Sequence, residues 1–266
     1  MAYRSDADLE FLREMESEDL NDLVEVLMGK PDDTRWTQSL TSSSLYKEHY
    51  PKHKMYLEDI MEEIQKFGGN TISNMARQGG VLYQEILRDV ASKFKVKYDK
   101  NTSTSMLEMS IYLKILSDAL AKMSDNEARE LVKELKLDSP EVIKAAGLDN
   151  LDSVSSAEFI IMALQFILKQ GNFTTYRVTI AIANMVWKQI FGHGLGITAG
   201  MASAGVLPFV IGPVGWVVGP IWAAFGITGP AYRVTVPVVI QVACLRSLHK
   251  QRKNGTIDKD GNEIVK

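Results

Sequence analysis

The chain has 266 residues, of which 45% are hydrophobic and 24% are charged. This length has room for one large domain or two modest ones, and the composition excludes global disorder. The formal net charge is −3, from 30 basic and 33 acidic residues. Because nucleic-acid binding requires a basic surface, this balance gives no reason to expect nucleic acid as the main partner.

Residues 1–150 have the pattern of a compact all-α domain. Apolar residues recur at helical spacing in three stretches, 17–28, 55–67 and 103–123. Two helix starts carry recognisable signals, because Ser124 with Glu127 forms a capping box and Pro140 suits the first position of a helix. Signals typical of strands are nearly absent, so we predict an N-terminal multi-helix domain.

The last part of the chain changes character. Residues 151–250 are predicted to be an apolar helical region, and residues 251–266 a polar tail. Within the apolar region no Asp, Glu, Lys or Arg occurs between Lys188 and Arg233. An uncharged stretch of this length is typical of the buried centre of a helical domain or of an element that contacts membrane.

The uncharged stretch has the pattern of a Gly-rich hydrophobic hairpin, at about residues 194–229. Gly212 and Pro213 divide it into two arms, 194–211 and 214–229. As helices the arms would be about 27 and 24 Å long, and a bilayer core is about 30 Å thick. Each arm is therefore a marginal membrane span, and the two together fit a tight helical hairpin.

Small residues recur every four positions along both arms, a spacing that lets two helices approach closely in lipid. Two tryptophans in the second arm suit a membrane–water interface. The residues expected to pack the hairpin or to contact membrane are Gly192, Gly196, Gly200, Gly215, Trp216, Gly219 and Trp222. An alternative stays open, since a central hairpin wrapped by amphipathic helices in a soluble protein would have the same pattern.

Two similar five-residue stretches flank the hairpin, and Arg177 and Arg233 are their second residues. These arginines are candidates to fix the base of the hairpin, by binding lipid headgroups or by pairing with acidic groups. The alternative is that each side chain simply reaches water. His193, at the entry to the uncharged stretch, is a candidate pH latch because its charge would oppose burial, unless a backbone carbonyl satisfies it.

Known signatures of catalysis and cofactor binding do not occur in the sequence. It has no phosphate loop, dinucleotide fingerprint, nucleophile elbow or zinc-ligand spacing. We therefore assign no catalytic, cofactor-binding or metal-ligating residue, and expect a non-enzymatic protein without a cofactor. An enzyme on an unfamiliar helical fold is the remaining alternative. The single cysteine, Cys244, is expected to be a small buried hydrophobe in a reducing compartment.

Three blocks of sequence stand out together: Tyr3 to Leu12, Phe67 to Asn74 with the turn Gly68, Gly69 and Asn70, and the end blocks Gly192 to Leu195 and Ala231 to Arg246. In combination they resemble the YaaW family of uncharacterised bacterial proteins, which is grouped with ubiquinol–cytochrome c chaperone-like proteins. The resemblance implies that Gly68, Gly69 and Asn70 form a signature turn. It implies no catalytic residues, and only the distant grouping implies a chaperone role.

Two functions fit these observations. The first is a non-enzymatic membrane-associating protein whose hairpin inserts into or lies on the inner membrane, and perturbs it or forms a pore when triggered. The second is a soluble cytoplasmic chaperone or assembly factor in which the hairpin is buried core. The expected partner is accordingly membrane lipid or another protein, with a homo-oligomer as a further candidate. The acidic N-terminus has no apolar segment, so we expect a location in the cytoplasm or on the cytoplasmic face of the inner membrane.

Overall fold

The computed structural model describes most of the chain outside the predicted hairpin. The described residues are 3–28, 39–68, 80–121, 124–134, 137–148, 154–170, 175–176, 178–180, 183–184, 187, 195–196, 232–259 and 264. The arms of the predicted hairpin, with the sole exceptions of residues 195 and 196, lie outside the described residues. Structural statements below refer to the described residues alone.

The described part of the chain is helical and contains no strand, which confirms the all-α prediction. Its α-helices are α1 (Asn21–Met28), α2 (Ser44–His49), α3 (Leu57–Gly68), α4 (Tyr83–Lys93), α5 (Thr104–Leu120), α6 (Asp125–Glu134), α7 (Pro140–Ala145), α8 (Ser156–Gln170) and α9 (Tyr232–Lys253). Short 3-10 helices occur at Glu10–Glu14, Glu18–Leu20, Leu40–Ser42 and His53–Tyr56.

The chain forms two compact units. Unit 1 consists of Met1–Glu108 and Ile227–His249, and unit 2 of Met109–Gly226 and Lys250–Lys266. The sequence predicts a different division, into residues 1–150, 151–250 and 251–266. This three-part division stays a prediction.

Helix α3 shows how the apolar periodicity builds unit 1. Leu57, Ile60, Met61 and Ile64 recur at helical spacing and are all buried. The predicted stretch 55–67 also included Met55, but the chain before Leu57 forms a 3-10 turn and Met55 is exposed. The apolar stripe therefore begins at the first residue of the α-helix.

Helix α9 is the buried centre of unit 1. Every described side chain from Val234 to Leu245 is buried, so the helix has no solvent-facing side over this length. It tolerates Pro237 in its interior, and Thr235 donates its hydroxyl hydrogen to the Phe67 carbonyl at 3.2 Å. The predicted burial of Cys244 is confirmed here. Burial raises the pKa of its thiol, and Asp22 and Asp19 raise it further.

Unit 2 is organised around α8, against which α6 and α7 pack. The predicted helix starts are confirmed: the Ser124 N–H donates to Glu127 Oε2 at 2.7 Å, and Pro140 stands at the first turn of α7 behind the Ser139 cap. Phe159 on α8 is buried, and Ser155 with Glu158 caps that helix in the same way.

The polar tail begins with a defined helix end. Gly255 has φ +64°, and the Thr256 N–H donates to the Gln251 carbonyl while the Gly255 N–H donates to the Arg252 carbonyl. This pair of bonds is a Schellman motif, in which glycine supplies the left-handed residue. The Ile264 N–H then donates to the Thr256 carbonyl at 2.8 Å.

Candidate functional site

A buried ion pair between Glu108 and Arg246 connects two helices in the described part of unit 1. Arg246 extends from α9, and its Nε lies 3.1 Å from both carboxylate oxygens of Glu108 on α5. The Tyr83 hydroxyl donates to Glu108 Oε1 at 2.9 Å. Glu108 is almost fully buried, so its charge is held by these groups rather than by water.

The N-terminal segment closes this cluster from another side. Nη2 of Arg246 donates to the Asp8 carbonyl at 2.6 Å. The guanidinium carbon lies 4.4 Å from the centroid of the Phe11 ring, a cation–π distance. One arginine therefore joins α9 to α5 and to the first residues of the chain. We call Asp8, Phe11, Tyr83, Glu108 and Arg246 the Arg246 cluster.

Asp6 fastens the same segment to the start of α4. Its Oδ2 accepts the Tyr83 N–H at 2.6 Å, and its Oδ1 accepts the Asp8 N–H at 3.0 Å. The Tyr3 hydroxyl accepts the Asp6 N–H at 3.1 Å. Burial raises the pKa of Tyr3 to about 12. A buried carboxylate at a helix N-terminus is favourable because it accepts otherwise unpaired N–H groups and meets the positive end of the helix dipole.

Gln65 on α3 binds the backbone of Arg4 at two points. Its Oε1 accepts the Arg4 N–H at 3.0 Å, and its Nε2 donates to the Arg4 carbonyl at 2.7 Å. Gly80 lies against the same residue, and a Cβ placed there would be 2.5 Å from Gln65 Cβ. Only glycine fits this close approach, which brings the chain before α4 against α3.

The electrostatics of the Arg246 cluster favour a structural joint. Burial raises the pKa of the Glu108 carboxyl, against the opposing effects of Arg246 and Tyr83. Burial by itself lowers the pKa of the Arg246 guanidinium, but Glu108, Tyr83 and Asp8 together raise it above its usual value. Both groups are largely desolvated and are bonded to each other, so the arrangement suits a joint that holds helices together.

A second buried polar group lies where α1 meets the 3-10 helix His53–Tyr56. His53 Nε2 is 2.7 Å from Asn21 Oδ1, and Nδ1 is bonded to the Tyr56 hydroxyl. Burial lowers the pKa of His53, with Glu18 acting in the opposite direction. This set of partners fits a neutral imidazole that donates at Nε2 and accepts at Nδ1.

Most residues predicted as site residues lie outside the described part of the chain. These are Gly69, Asn70, Arg177, Gly192, His193, Gly200, Gly215, Trp216, Gly219 and Trp222. Their predicted roles in the hairpin, its base, the pH latch and the signature turn stay predictions. Three predicted residues are described at least in their backbone: Gly68 is the last residue of α3, Arg233 is the second residue of α9, and Gly196 is an exposed turn residue.

The described residue next to Gly196 is well anchored. The Leu195 N–H donates to Asn184 Oδ1 at 2.8 Å, and both residues are buried within unit 2. At the other end of the uncharged stretch, the Lys93 ammonium lies 5.0 Å from the centroid of the Tyr232 ring within unit 1. Two described residues of the uncharged stretch, Leu195 near its start and Tyr232 at its end, therefore each contact a side chain outside it.

No sequence pattern predicted the Arg246 cluster. One signal was present, because Arg246 is the first charged residue after the apolar run of α9 and Glu108 lies among apolar residues of α5. No local spacing rule connects them, since 138 positions separate the two residues. The contribution of the N-terminal segment was equally invisible, because it consists of one backbone carbonyl and one ring.

The comparisons with known proteins identify the family. Residues 3–36, which contain the N-terminal part of the Arg246 cluster, match a domain of unknown function, DUF3944. A UPF0174 protein of Helicobacter pylori (strain J99 / ATCC 700824) is 41% identical over 255 residues, which are 96% of this chain and 96% of that protein. The chain belongs to the UPF0174 family.

Other UPF0174 relatives extend the match. A second UPF0174 protein of the same Helicobacter pylori strain is 34% identical over 212 residues, 79% of this chain and 96% of that protein. The UPF0174 protein YaaW of Escherichia coli (strain K12) is 29% identical over 251 residues, 92% of this chain and 96% of that protein. The predicted resemblance to the YaaW family is thus confirmed, while the chaperone-like grouping stays a prediction. No solved structure matches the chain.

The helices of the described residues differ from membrane-spanning helices. None of them combines the length and the apolar composition that crossing a membrane requires.

Proposed function

We propose that this protein associates with membranes through its Gly-rich hydrophobic hairpin, residues 194–229, and that it is not an enzyme. The observation that carries the proposal is the lack of any Asp, Glu, Lys or Arg in the sequence between Lys188 and Arg233. A charged residue at the centre of a bilayer costs about 2.5 to 3.5 kcal/mol on insertion scales, and this stretch has none to insert.

The anchoring of α9 supports this proposal. The helix follows the uncharged stretch directly, is buried from Val234 to Leu245, and is fixed at Arg246 to Glu108 and to the Asp8 carbonyl. A segment that enters a bilayer needs a firm attachment to the rest of the protein. In this arrangement unit 1 supplies it, and insertion of the hairpin requires no loss of the Arg246 cluster.

Basic residues flank the uncharged stretch on both sides, a pattern that would favour both ends of the hairpin on the cytoplasmic side. They are Lys169, Arg177 and Lys188 before the stretch, and Arg233, Arg246, Lys250, Arg252 and Lys253 after it. The Arg246 guanidinium is bonded to Glu108 and to the Asp8 carbonyl, so Arg246 is an internal joint. The preference for cytoplasmic ends of the hairpin therefore depends on the other flanking basic residues.

Two finer statements belong to the same proposal. The hairpin inserts into the inner membrane from the cytoplasmic face, with Gly200, Gly215 and Gly219 at the helix–helix contact. Gly196, which sequence spacing also assigned to that contact, is an exposed turn residue and lies before the first helix of the proposed hairpin. A membrane-perturbing or pore-forming action then needs several copies, since two helices alone enclose no pore.

A second function is favoured by one specific observation, the burial of α9 from Val234 to Leu245. An apolar helix adjoining the uncharged stretch is core in unit 1, so the hairpin itself is a candidate for core. In that case the protein is a soluble cytoplasmic chaperone or assembly factor, and another protein is its partner.

Vesicle flotation separates the two functions. Wild-type protein is mixed with phosphatidylcholine vesicles at several pH values between 5 and 8, and the floated fraction is measured. We expect wild-type protein to float and Val217→Asp to remain at the bottom, because the new charge lies in the second arm. Met106→Asp is the control, since it adds the same charge at an exposed position of α5.

The fold of each variant is read from the same samples. Cys244 is buried in α9, so its resistance to thiol reagents reports an intact unit 1. A Val217→Asp protein that keeps Cys244 protected but no longer floats supports the membrane function. Wild-type protein that never floats, or a Val217→Asp protein that unfolds throughout, supports the soluble alternative.

A further inference from the structure

Unit 1 has three exposed apolar side chains within eleven residues, one on α2 and two in the segment between α2 and α3. Leu45 is 43% exposed, Tyr50 52% and Met55 55%. They lie between Ser43, which caps α2, and Tyr56, which ends the next 3-10 helix. Single exposed apolar side chains are normal on protein surfaces, whereas groups of them mark binding surfaces.

The segment that carries these side chains is held by hydrogen bonds at its start and in its turn. The Lys52 N–H donates to the His49 carbonyl at 2.6 Å, and the Met55 N–H donates to the Lys52 carbonyl at 3.0 Å. Ser43 accepts the Leu45 N–H at 3.2 Å and is itself bonded to Asp59 on α3. The segment is thus fastened to the body of unit 1 at its start and internally at its tip.

Tyr50 stands on an aromatic base. Its ring centroid is 5.3 Å from that of Tyr46 and 5.9 Å from that of His53, and Tyr56 packs against both of these rings. His53 and Tyr56 are buried, whereas half of Tyr50 faces solvent. The base holds an amphipathic ring at the surface with little conformational freedom left to lose on binding.

The segment that carries these side chains has more basic than acidic residues. Between Ser43 and Tyr56 the sequence has three lysines and one glutamate. Lys54 pairs with Glu16 at 3.3 Å, while Lys47 and Lys52 are exposed and have no ion-pair partner among the described residues. The one acidic group, Glu48, lies 3.8 Å from His49. The segment with the exposed apolar side chains therefore also has two exposed lysines, Lys47 and Lys52, that form no ion pair with the described residues.

This combination favours a lipid surface over a protein partner. Lysine is depleted at protein–protein interfaces, whereas lysines near an anionic bilayer each contribute about 1 kcal/mol to binding. Tyrosine is enriched at the membrane–water boundary, where its ring lies among the acyl chains and its hydroxyl among the headgroups. Leucine and methionine supply apolar area that can enter the same boundary.

We propose that Leu45, Lys47, Tyr50, Lys52 and Met55 form a docking surface for anionic phospholipid bilayers, here called the Tyr50 surface. It extends the proposed function by naming a lipid class and a second contact, and it is independent of insertion by the hairpin. The lysines bind anionic headgroups while Leu45, Tyr50 and Met55 enter the headgroup–acyl boundary. Docking of this kind brings unit 1 to the membrane by a salt-sensitive step.

The test uses the full chain with Val217→Asp, which disables the hairpin, so that binding through unit 1 is measured alone. Partition is measured by co-sedimentation with vesicles of phosphatidylglycerol and phosphatidylethanolamine, and with vesicles of phosphatidylcholine. We expect binding to the anionic vesicles alone, weakened by high salt. Loss of about fivefold in the partition coefficient is expected for each of Lys47→Gln and Lys52→Gln.

Matched controls place the binding at this surface. Lys97→Gln with Lys100→Gln removes two exposed lysines next in sequence to Tyr98, an exposed tyrosine whose hydroxyl is bonded to the Arg88 carbonyl and which has no Leu or Met near it among residues 95–101. That pair is expected to leave partition unchanged. Leu45→Ser with Met55→Ser should weaken partition, and Met106→Ser on α5 should not.

Several results would overturn the proposal. These are equal binding to anionic and neutral vesicles, no binding to either, or equal losses from the Lys97 and Lys100 control. Concentration-dependent dimerisation that Leu45→Ser with Met55→Ser abolishes would show that a second copy covers the surface instead. Failure of the hairpin proposal gives a different result. In that case wild-type protein and Val217→Asp behave alike on phosphatidylcholine vesicles.

Discussion

The Nε atom of Arg246 lies 3.1 Å from both carboxylate oxygens of Glu108, and 138 positions of sequence separate the two residues. This pair joins α9, which follows the uncharged stretch, to α5 inside unit 1. Because the Asp8 carbonyl and the Phe11 ring contact the same guanidinium, the N-terminal segment is part of the joint.

Single substitutions in this pair should be far more damaging than the double substitution. Arg246→Met leaves a buried carboxylate without its cation, and Glu108→Leu leaves a buried cation, so each should lower the free energy of unfolding by about 3 to 5 kcal/mol. Glu108→Leu with Arg246→Met removes both charges and should cost less than the sum. Urea unfolding measures all three proteins.

The exposed pair Lys133–Glu130 is the control for this cycle. Its atoms are 3.1 Å apart, but both side chains are more than half exposed. Alanine at either position should have little effect on unfolding. Additive effects at Glu108 and Arg246 would show that the two residues are not energetically coupled.

Asp6→Ala should loosen the N-terminal segment. The substitution removes the acceptor of the Tyr83 and Asp8 N–H groups, and loss of a helix cap costs about 1 to 2 kcal/mol. Hydrogen exchange of the Tyr83 and Asp8 amides should accelerate in the same variant. Ser5→Ala, at the exposed neighbouring position, should leave exchange and stability unchanged. Unchanged exchange in Asp6→Ala would contradict the assigned cap.

Local signals were sufficient for several helices. The Ser124–Glu127 capping box and the proline at position 140 predicted the starts of α6 and α7, because both signals act within one helical turn. The apolar spacing predicted α3 for the same reason, although its proposed first member, Met55, is exposed. Helix type and approximate position follow from contacts a few residues apart.

The polar joints could not be predicted in this way. Gln65 binds the backbone of Arg4, and Arg246 binds Glu108, so each contact depends on how distant segments pack. Gly80 is likewise required by a close approach to Gln65, a residue 15 positions earlier on α3. A single sequence contains no periodicity that links such partners, and the candidate site therefore emerged only from the structure.

His53 should make unit 1 less stable in mild acid. Its pKa is lowered by burial in the folded protein, so the unfolded chain binds the proton more readily. Stability conferred by the neutral ring is complete above the unfolded pKa of about 6.5 and falls as pH decreases through it towards the folded pKa. One such proton changes the unfolding free energy by at most about 1.4 kcal/mol per pH unit.

Urea unfolding at pH 7 and pH 5 checks this dependence. His53→Gln should be less stable than wild type at pH 7 but should lose less on acidification. His249→Gln is the control, because His249 lies near the surface beside Glu14 at 2.9 Å, and its removal should leave the wild-type fall in place. An equal fall in His53→Gln and wild type would contradict the assignment.

Cys244 is a probe of whether unit 1 opens on membrane binding. It is the single cysteine of the chain, it is buried in α9, and burial raises the pKa of its thiol. Native protein should therefore react with thiol reagents far more slowly than unfolded protein. If unit 1 anchors the hairpin, addition of vesicles should leave the rate of Cys244 labelling unchanged. Faster labelling with vesicles would mean that α9 leaves its packing, contrary to the anchor described above.

The position of Trp216 and Trp222 tests the central claim most directly. The protein has four tryptophans, and these two lie in the second arm of the hairpin, so fluorescence lost in Trp216→Phe with Trp222→Phe isolates their emission. Vesicles of phosphatidylcholine brominated along the acyl chains should quench that component strongly in wild-type protein, and quench the remaining emission of the double variant little. Emission from Trp216 and Trp222 that is unchanged by brominated lipid would contradict membrane insertion and identify the hairpin as protein core.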